Sequence, residues 1–228
     1  MATPLLFLSG AGLPSWIWDD VRSRVEAPSR VAPRPTTGET VSDYARAALE
    51  AAPAERFTLI VHSSGGVVAA ELARSAEPGR ITGVLGLAAV IPRAGASFVS
   101  SLPFPQRFIL PAVMRVAGTR PPESSIRKGL GAGLDETTTR RLVADLSPEP
   151  REYFTSRAAD PAALFAIPSR GYVVTTDDAE IPSALQRRFA ARLHPTETFE
   201  VRAGHLPMLT HPKVIATAIN SLGDRPGT

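Results

Sequence analysis

The segment Phe57-Thr58-Leu59-Ile60-Val61-His62-Ser63-Ser64-Gly65-Gly66 constrains this chain more than any other. Its first half is an apolar run without polar alternation, the pattern of a strand buried on both faces. Its second half is short and glycine-bearing, and opens onto Val67-Val68-Ala69-Ala70-Glu71-Leu72, a helix-forming string. A strand that becomes a helix across so few residues needs a sharp turn, and its central residue is forced into a strained backbone. Small residues around that centre relieve the crowding. With Ser63 at the centre, Gly65 stands two residues on and Gly66 lets the helix approach the sheet. With Ser64 at the centre, the residue two before would be the larger His62. Ser63 is the better fit, although Val61 stands where glycine is usual. A serine that only caps a helix would give the same local string, so the chemistry depends on what the rest of the chain supplies.

The rest of the chain alternates strands and helices. Leu5–Leu8, Ile81–Ala89, Gly171–Thr175 and Thr198–Val201 read as strands, and Arg30–Ala32 as a short one. Helical spacing covers Trp16–Val25 with Ser15 as its cap, Val41–Ala51 capped by Thr40 or Ser42, Gly65–Ala76, Pro182–Arg192 and Lys213–Leu222. Strands separated by helices imply βαβ units, hence an α/β protein with a mostly parallel central sheet and helices on both faces. Between residues 92 and 168 proline and glycine rise and strand patterning disappears. Two or three short amphipathic helices fit there, Glu136–Asp145 among them. The expected organisation is a core of residues 1–91 and 169–228, with 92–168 as a small helical insertion over one end of the sheet.

Composition excludes several functions. With no cysteine in 228 residues there is no disulfide framework, no thiolate nucleophile and no cysteine zinc site. No apolar run approaches the roughly 18 residues of a membrane span. The formal net charge is +3, but Lys128 and Lys213 are the only lysines and the arginines are interleaved with acids. A nucleic-acid binder needs a basic stripe with aromatics between, and aromatic residues make up only 6% here. Neither nucleic acid nor membrane is an expected partner; the expected one is a small-molecule substrate, met by a monomer or homodimer. Met1–Pro4 carries no side-chain charge and the following apolar run is only strand-length, unlike a secretory signal, so the expected location is cytoplasmic.

A serine hydroxyl becomes a nucleophile when a base takes its proton, and the base needs an orienting carboxylate. Of four histidines, His62 adjoins Ser63 on the strand, where its side chain points the other way and supports the site. His194 and His211 each precede a proline and read as loop residues. His205 follows the last strand in Ala203-Gly204-His205-Leu206-Pro207-Met208, at the carboxyl end where ligands of parallel sheets bind. Asp177, Asp178 and Glu180 follow the preceding strand and are the candidate acids, though acids before a helix also serve as caps. An oxyanion would need N–H donors. Ser64 N–H is one by its place after the nucleophile, and the glycine-rich loop Ser9–Leu13 offers Gly10 or Ala11 as the other. That loop lacks both the G-x-G-x-x-G spacing and a G-K-[ST] sequence, which argues against nucleotide binding.

These residues resemble the α/β-hydrolase superfamily, in which nucleophile, acid and base follow in the order seen for Ser63, Asp178 and His205. More narrowly they resemble the small branch of plant-type methyl esterases and hydroxynitrile lyases with their bacterial relatives. Leu6–Trp18 resembles the branch's apolar strand, H-G-x-G loop and W-x-W helix start, with Ser9 in place of the histidine. Residues 172–182 resemble its Y-x-x-T-x-x-D-x-x-x-P segment, which selects Asp178. Gly204–Leu209 resembles its segment around the base. The resemblance implies that 92–168 is the cap. It also separates esterase from lyase: lyases carry lysine after the base and threonine in the loop, where this chain has Leu206 and Gly10.

The resulting expectation is a serine hydrolase with catalytic Ser63, Asp178 and His205, and with Gly10, Ala11, Ser64 and Leu206 at the oxyanion and substrate. It would cleave a small, apolar carboxylic ester or thioester through an acyl-enzyme, needing no metal or organic cofactor. Phe98, Leu102, Phe104, Phe108 and Ile109 are candidates for an apolar wall. The alternatives are carbon–carbon or lactone cleavage by the same triad, and a catalytically silent ligand-binding homologue.

Overall fold

The computed structural model describes residues 2–158 and 160–223. Six strands form one sheet: β1 (Leu5–Leu8), β2 (Ser29–Val31), β3 (Phe57–His62), β4 (Ile81–Leu87), β5 (Ser169–Thr175) and β6 (Glu197–Val201). Their order is β2-β1-β3-β4-β5-β6, and every pairing is parallel. The expected "mostly parallel" sheet is therefore parallel throughout the described residues. The order reverses between β1 and β3, and the carboxyl ends flanking such a reversal are where open α/β sheets place their ligands.

Alternation along each strand feeds two cores. Leu6, Leu8, Leu59, Val61, Tyr172 and Val174 pack on one face under α2 (Val41–Glu50), α3 (Gly65–Ser75) and α10 (Ser183–Leu193). Leu5, Phe7, Ile60, Leu85 and Val173 pack on the other, under α1 (Asp19–Arg22) and α12 (Pro212–Gly223). Both faces are dry, which is why the strands read as unbroken apolar runs. Thr40 caps α2 in a reciprocal box with Asp43, each side chain bonding the other's backbone.

The first helix departs from its sequence pattern. Ser15–Trp18 winds as a 3-10 turn before α1, and Pro14 rather than Ser15 stands at its cap, without a side-chain bond. Ile17 and Trp18 are both fully buried, and Trp18 Nε1 donates to Ser9 Oγ at 2.9 Å. These tertiary contacts override the 3.6-residue spacing.

Between β4 and β5 lie six helices where two or three were expected: α4 (Phe98–Ser101), α5 (Gln106–Ala117), α6 (Glu123–Lys128), α7 (Glu136–Asp145), α8 (Arg151–Thr155) and α9 (Ala162–Phe165). Pro105, Pro122, Pro150 and Pro161 stand at the starts of α5, α6, α8 and α9. Proline has no N–H to leave unbonded at a helix start, so the rise in proline marks helix beginnings rather than irregular chain. After β6 the short α11 (Pro207–Thr210) precedes α12. No helix among the described residues is long and apolar enough to cross a membrane.

Gly66 sets how closely α3 approaches the sheet. A Cβ there would be driven into the Val90 carbonyl, 2.9 Å from its carbon and closer still to its oxygen. Backbone cannot yield as a flexible side chain would. Gly66→Ala is expected to lower stability by about 2 kcal/mol, read as a thermal melt several degrees below that of the parent protein.

Candidate active site

Ser63 ends β3 in the left-handed region, with φ +53°. Three backbone bonds hold it there: Ser63 N–H donates to Leu87, while Ser63 C=O accepts from Gly66 and Val90. Val61 is tolerated where a glycine was expected, because its register partner on β4 is Gly86, which presents no side chain beside it. Gly10 closes the other flank. A Cβ on Gly10 would lie 2.8 Å from Ser63 Cβ, so only glycine lets the β1 loop come this near.

Three sequence-selected residues meet here. His205 Nε2 lies 2.9 Å from Ser63 Oγ, and His205 Nδ1 lies 2.8 Å from Asp178 Oδ2. Each comes from the carboxyl end of a different strand: Ser63 after β3, Asp178 after β5 and His205 after β6. Asp178 is further bound by the Thr175 hydroxyl, Gln186 Nε2 and the amides of Glu180 and Ile181. Burial works against its charged form, but the bond and charge of His205 and the two amides outweigh it and hold the carboxyl below its ordinary value. Asp178 thus stays ionised, accepts from Nδ1 and leaves Nε2 free to accept from Ser63. Asp177 instead pairs with Arg202 at the surface, and His194 and His211 lie apart on α10's end and beside Thr210.

Ser63, Ser64, Ala11 and His205 line a cavity of about 450 Å³. Its other walls are mostly apolar and include Phe98, Leu102, Leu110, Met114, Phe154 and Ile181. Phe98 and Leu102 are where the sequence reading put them. Phe104, Phe108 and Ile109 are not: Phe104 is exposed in the turn before α5, and Phe108 and Ile109 are exposed because α5 turns Leu110, Val113, Met114 and Ala117 to the cavity and its opposite side to solvent. Leu206 does not line the cavity either. The chain enters α11 directly after His205, which sends Leu206 into the core with Ala203 and Met208.

The loop after β1 is held by residues that sequence reasoning missed. Ala11 N–H donates to Ser64 Oγ at 2.8 Å, and Ser64 Oγ lies 2.9 Å from the Tyr153 hydroxyl. Gly12 N–H donates to Glu149 Oε1 at 2.8 Å. Glu149, almost wholly buried, also accepts from the Tyr44 hydroxyl and pairs with Arg34 at 3.0 Å. Burial, then the bond and charge of Glu149, push the Tyr44 phenol well up, so it remains a donor. Ser64 N–H makes no bond among the described residues, and Ser64 lines the same cavity as Ser63.

His62 is absent from the lining of the cavity that Ser63 enters, and reaches the base's own loop. Its Nε2–H donates to the His205 carbonyl at 2.9 Å and its ring packs 4.7 Å from the His205 ring. Nδ1 has no partner and is buried.

A protein with a serine, histidine and aspartate so arranged on a parallel α/β sheet belongs to the class of hydrolase-fold proteins. The family model described as "Alpha/beta hydrolase family" matches residues 5–218, and the chain belongs to that family. No curated protein sequence matches significantly. Among solved structures, the chain is similar to an extracellular α/β-hydrolase from a Paenibacillus species, described as sharing structural and functional homology with tobacco salicylic acid binding protein 2. The TM-score is 0.84 at 18% identity, over 98% of this chain and 100% of that one. It is also similar to the methylesterase MES16 from Arabidopsis (TM-score 0.77, 16% identity, 96% and 98% covered). A pyrethroid hydrolase from Sphingobium faniae gives TM-score 0.71 at 22% identity, with 99% of both chains covered. At these identities the likeness is one of fold.

Burial of His62, then the neighbouring His205, lower its pKa to about 3, against the opposing pull of the His205 carbonyl and Asp178. The unfolded state binds a proton near pH 6.5 and the folded state does not, so stability falls as pH drops from about 6.5 toward 3. This site alone is expected to contribute a slope on the order of 1 kcal/mol per pH unit in that window. Urea midpoints measured from pH 7 to pH 4 should fall less steeply for His62→Asn than for the parent chain.

Proposed function

We propose that the protein is a serine hydrolase cleaving a small, apolar carboxylic ester or thioester through an acyl-enzyme. The observation that carries this reading is the unbroken contact from Asp178 through His205 to Ser63, at 2.8 and 2.9 Å, opening on an apolar cavity. Ser63 Oγ attacks the carbonyl carbon while His205 Nε2 takes its proton. The oxyanion that forms is met by Ser64 N–H, beside a β1 loop whose Ala11 and Gly12 amides are taken up by Ser64 Oγ and Glu149. Collapse breaks the bond to the leaving alcohol or thiol, which receives the proton from Nε2. Water then attacks the acyl-enzyme, gives its proton to the same nitrogen, and the acid leaves with Ser63 restored. Asp178 stabilises the imidazolium in both halves.

The helices of 92–168 serve as the cap that selects the acyl or alcohol part, through Phe98, Leu102, Leu110 and Met114. A cavity of this size suits one small molecule. The esterases and hydrolases among the similar structures support ester chemistry, as does the absence of a lysine after His205.

An organophosphonate probe followed by peptide mass spectrometry tests the assignment. The label is expected on Ser63, and Ser63→Ala is expected to abolish it and lower ester turnover about 10⁴-fold or more, with little change in the melt. Labelling that persists in Ser63→Ala overturns the nucleophile. In a panel of p-nitrophenyl esters, β-diketones and lactones, the esters should give the highest kcat/KM; a preference for either of the others overturns the substrate class.

A further inference from the structure

The Ala11 amide, which the loop's position offers to an oxyanion, already donates to Ser64 Oγ at 2.8 Å. Ser64 is almost wholly buried, and the only other partner of its Oγ among the described residues is the Tyr153 hydroxyl at 2.9 Å. Tyr153 is equally buried, and its hydroxyl has no other hydrogen-bond partner there. The protons of this pair can therefore be followed. Two hydroxyl protons are available, and one of them lies between the two oxygens. A phenol is the better donor and an aliphatic hydroxyl oxygen the better acceptor, because the phenol is the stronger acid. Burial pushes the Tyr153 phenol further up, so its proton stays in place.

With Tyr153 donating, both lone pairs of Ser64 Oγ are filled, one by the phenol and one by the Ala11 amide. The Ser64 proton is then the group left without an acceptor. Ser64 lines the same cavity as Ser63 and His205, whereas Tyr153 lines a neighbouring cavity of about 380 Å³ that meets the first at Gly12, Leu13, Ser147 and Glu149. A buried donor without a partner is uncommon, and the acceptor that would complete this one has to come from the substrate's side.

We propose that the Ser64 hydroxyl is itself an oxyanion donor, adding a side-chain bond to that of the Ser64 amide, with Ala11 N–H and Tyr153 holding it in place. This rests on the hydrolase reading and adds to it a catalytic residue. No proton is transferred: Ser64 O–H donates to the carbonyl oxygen and keeps its hydrogen, more strongly as charge develops there. Ala11 and Tyr153 are positioning residues, polarising Ser64 Oγ from behind.

The test follows the rate of Ser63 phosphonylation by a p-nitrophenyl alkylphosphonate, whose phosphoryl oxygen occupies the oxyanion position. Ser64→Ala is expected to slow labelling about 100-fold or more, with kcat lowered to match and KM little changed, and to lower the melt by several degrees because two buried donors lose their acceptor. Tyr153→Phe leaves the hydroxyl in place and is expected to slow labelling several-fold, less than Ser64→Ala does. Equal or faster labelling in Ser64→Ala overturns the proposal: the freed Ala11 amide would then be the donor, and the hydrolase reading would stand. If the parent protein does not label at Ser63, that reading falls and this one with it. Should Ser64→Ala melt far below the parent, Ser64→Cys carries the comparison, because its thiol is close in size and a weak donor. Slow labelling of that variant upholds the proposal and parent-like labelling overturns it.

Discussion

A serine held at φ +53° carries a backbone strain on the order of 1–2 kcal/mol. The rest of the site depends on that strain being held. Ser63 N–H and C=O are tied to Leu87, Gly66 and Val90, so the turn is locked to β4 and to the chain that leaves it. A relaxed turn would carry Ser63 Oγ away from His205 and swing the Ser64 amide away from the cavity. The close packing of Gly10 on one side and Gly66 on the other is the steric counterpart of the same lock. Substrate contact does not create this geometry. It is built into the junction of the most buried strand and the helix behind it.

Asp178 shows the same economy in electrostatic form. A carboxylate taken out of water is costly unless every lone pair finds a donor. Here one oxygen receives two amides from the start of the next loop, and the other receives His205, Thr175 and Gln186. Five donors on one buried carboxylate fix its position and its charge together. The imidazole it orients is braced again from beneath, where His62 holds the carbonyl of residue 205. The proposed base is therefore gripped at its backbone by His62 of β3 and at its ring by Asp178 from the loop after β5, which Gln186 of α10 holds in turn.

Strand positions were legible because both faces of the sheet are buried and apolar runs have no other reading there. Ser63 was legible because it follows such a run directly, and His205 and the three candidate acids because they lie a few residues past the ends of two others; the resemblance, not the run, singled out Asp178. Of the helices between β4 and β5, four were harder because pieces of four to six residues are too short to display a period, and the proline starts of three of them look like loop. On α5, Phe108 and Ile109 are as apolar as Leu110 and Met114, and hydrophobicity alone does not say which side of a helix faces the cavity. Glu149, Tyr44, Arg34 and Tyr153 left no local signal at all. Each reads as an ordinary polar or aromatic residue until the fold brings together positions that lie 105 and 137 residues apart.

Those four residues change how the helical segment relates to the chemistry. Ala11 is held through Ser64 by Tyr153, and Gly12 directly by Glu149, so successive amides of the β1 loop are oriented by α8 and the residues before it. Phe154, the neighbour of Tyr153, lines the apolar cavity with Ser63 and His205. A change on one side of α8 is thus felt on the other, because a short helix moves as a unit and the buried bonds it makes are too costly to leave unmade. In a protein built this way, the segment that shapes the cavity and the β1 loop beside Ser63 cannot vary independently. A substitution at Phe154 that reshapes the cavity reaches the Ala11 amide through two hydrogen bonds, and its effect on turnover would combine altered fit with altered geometry around the carbonyl.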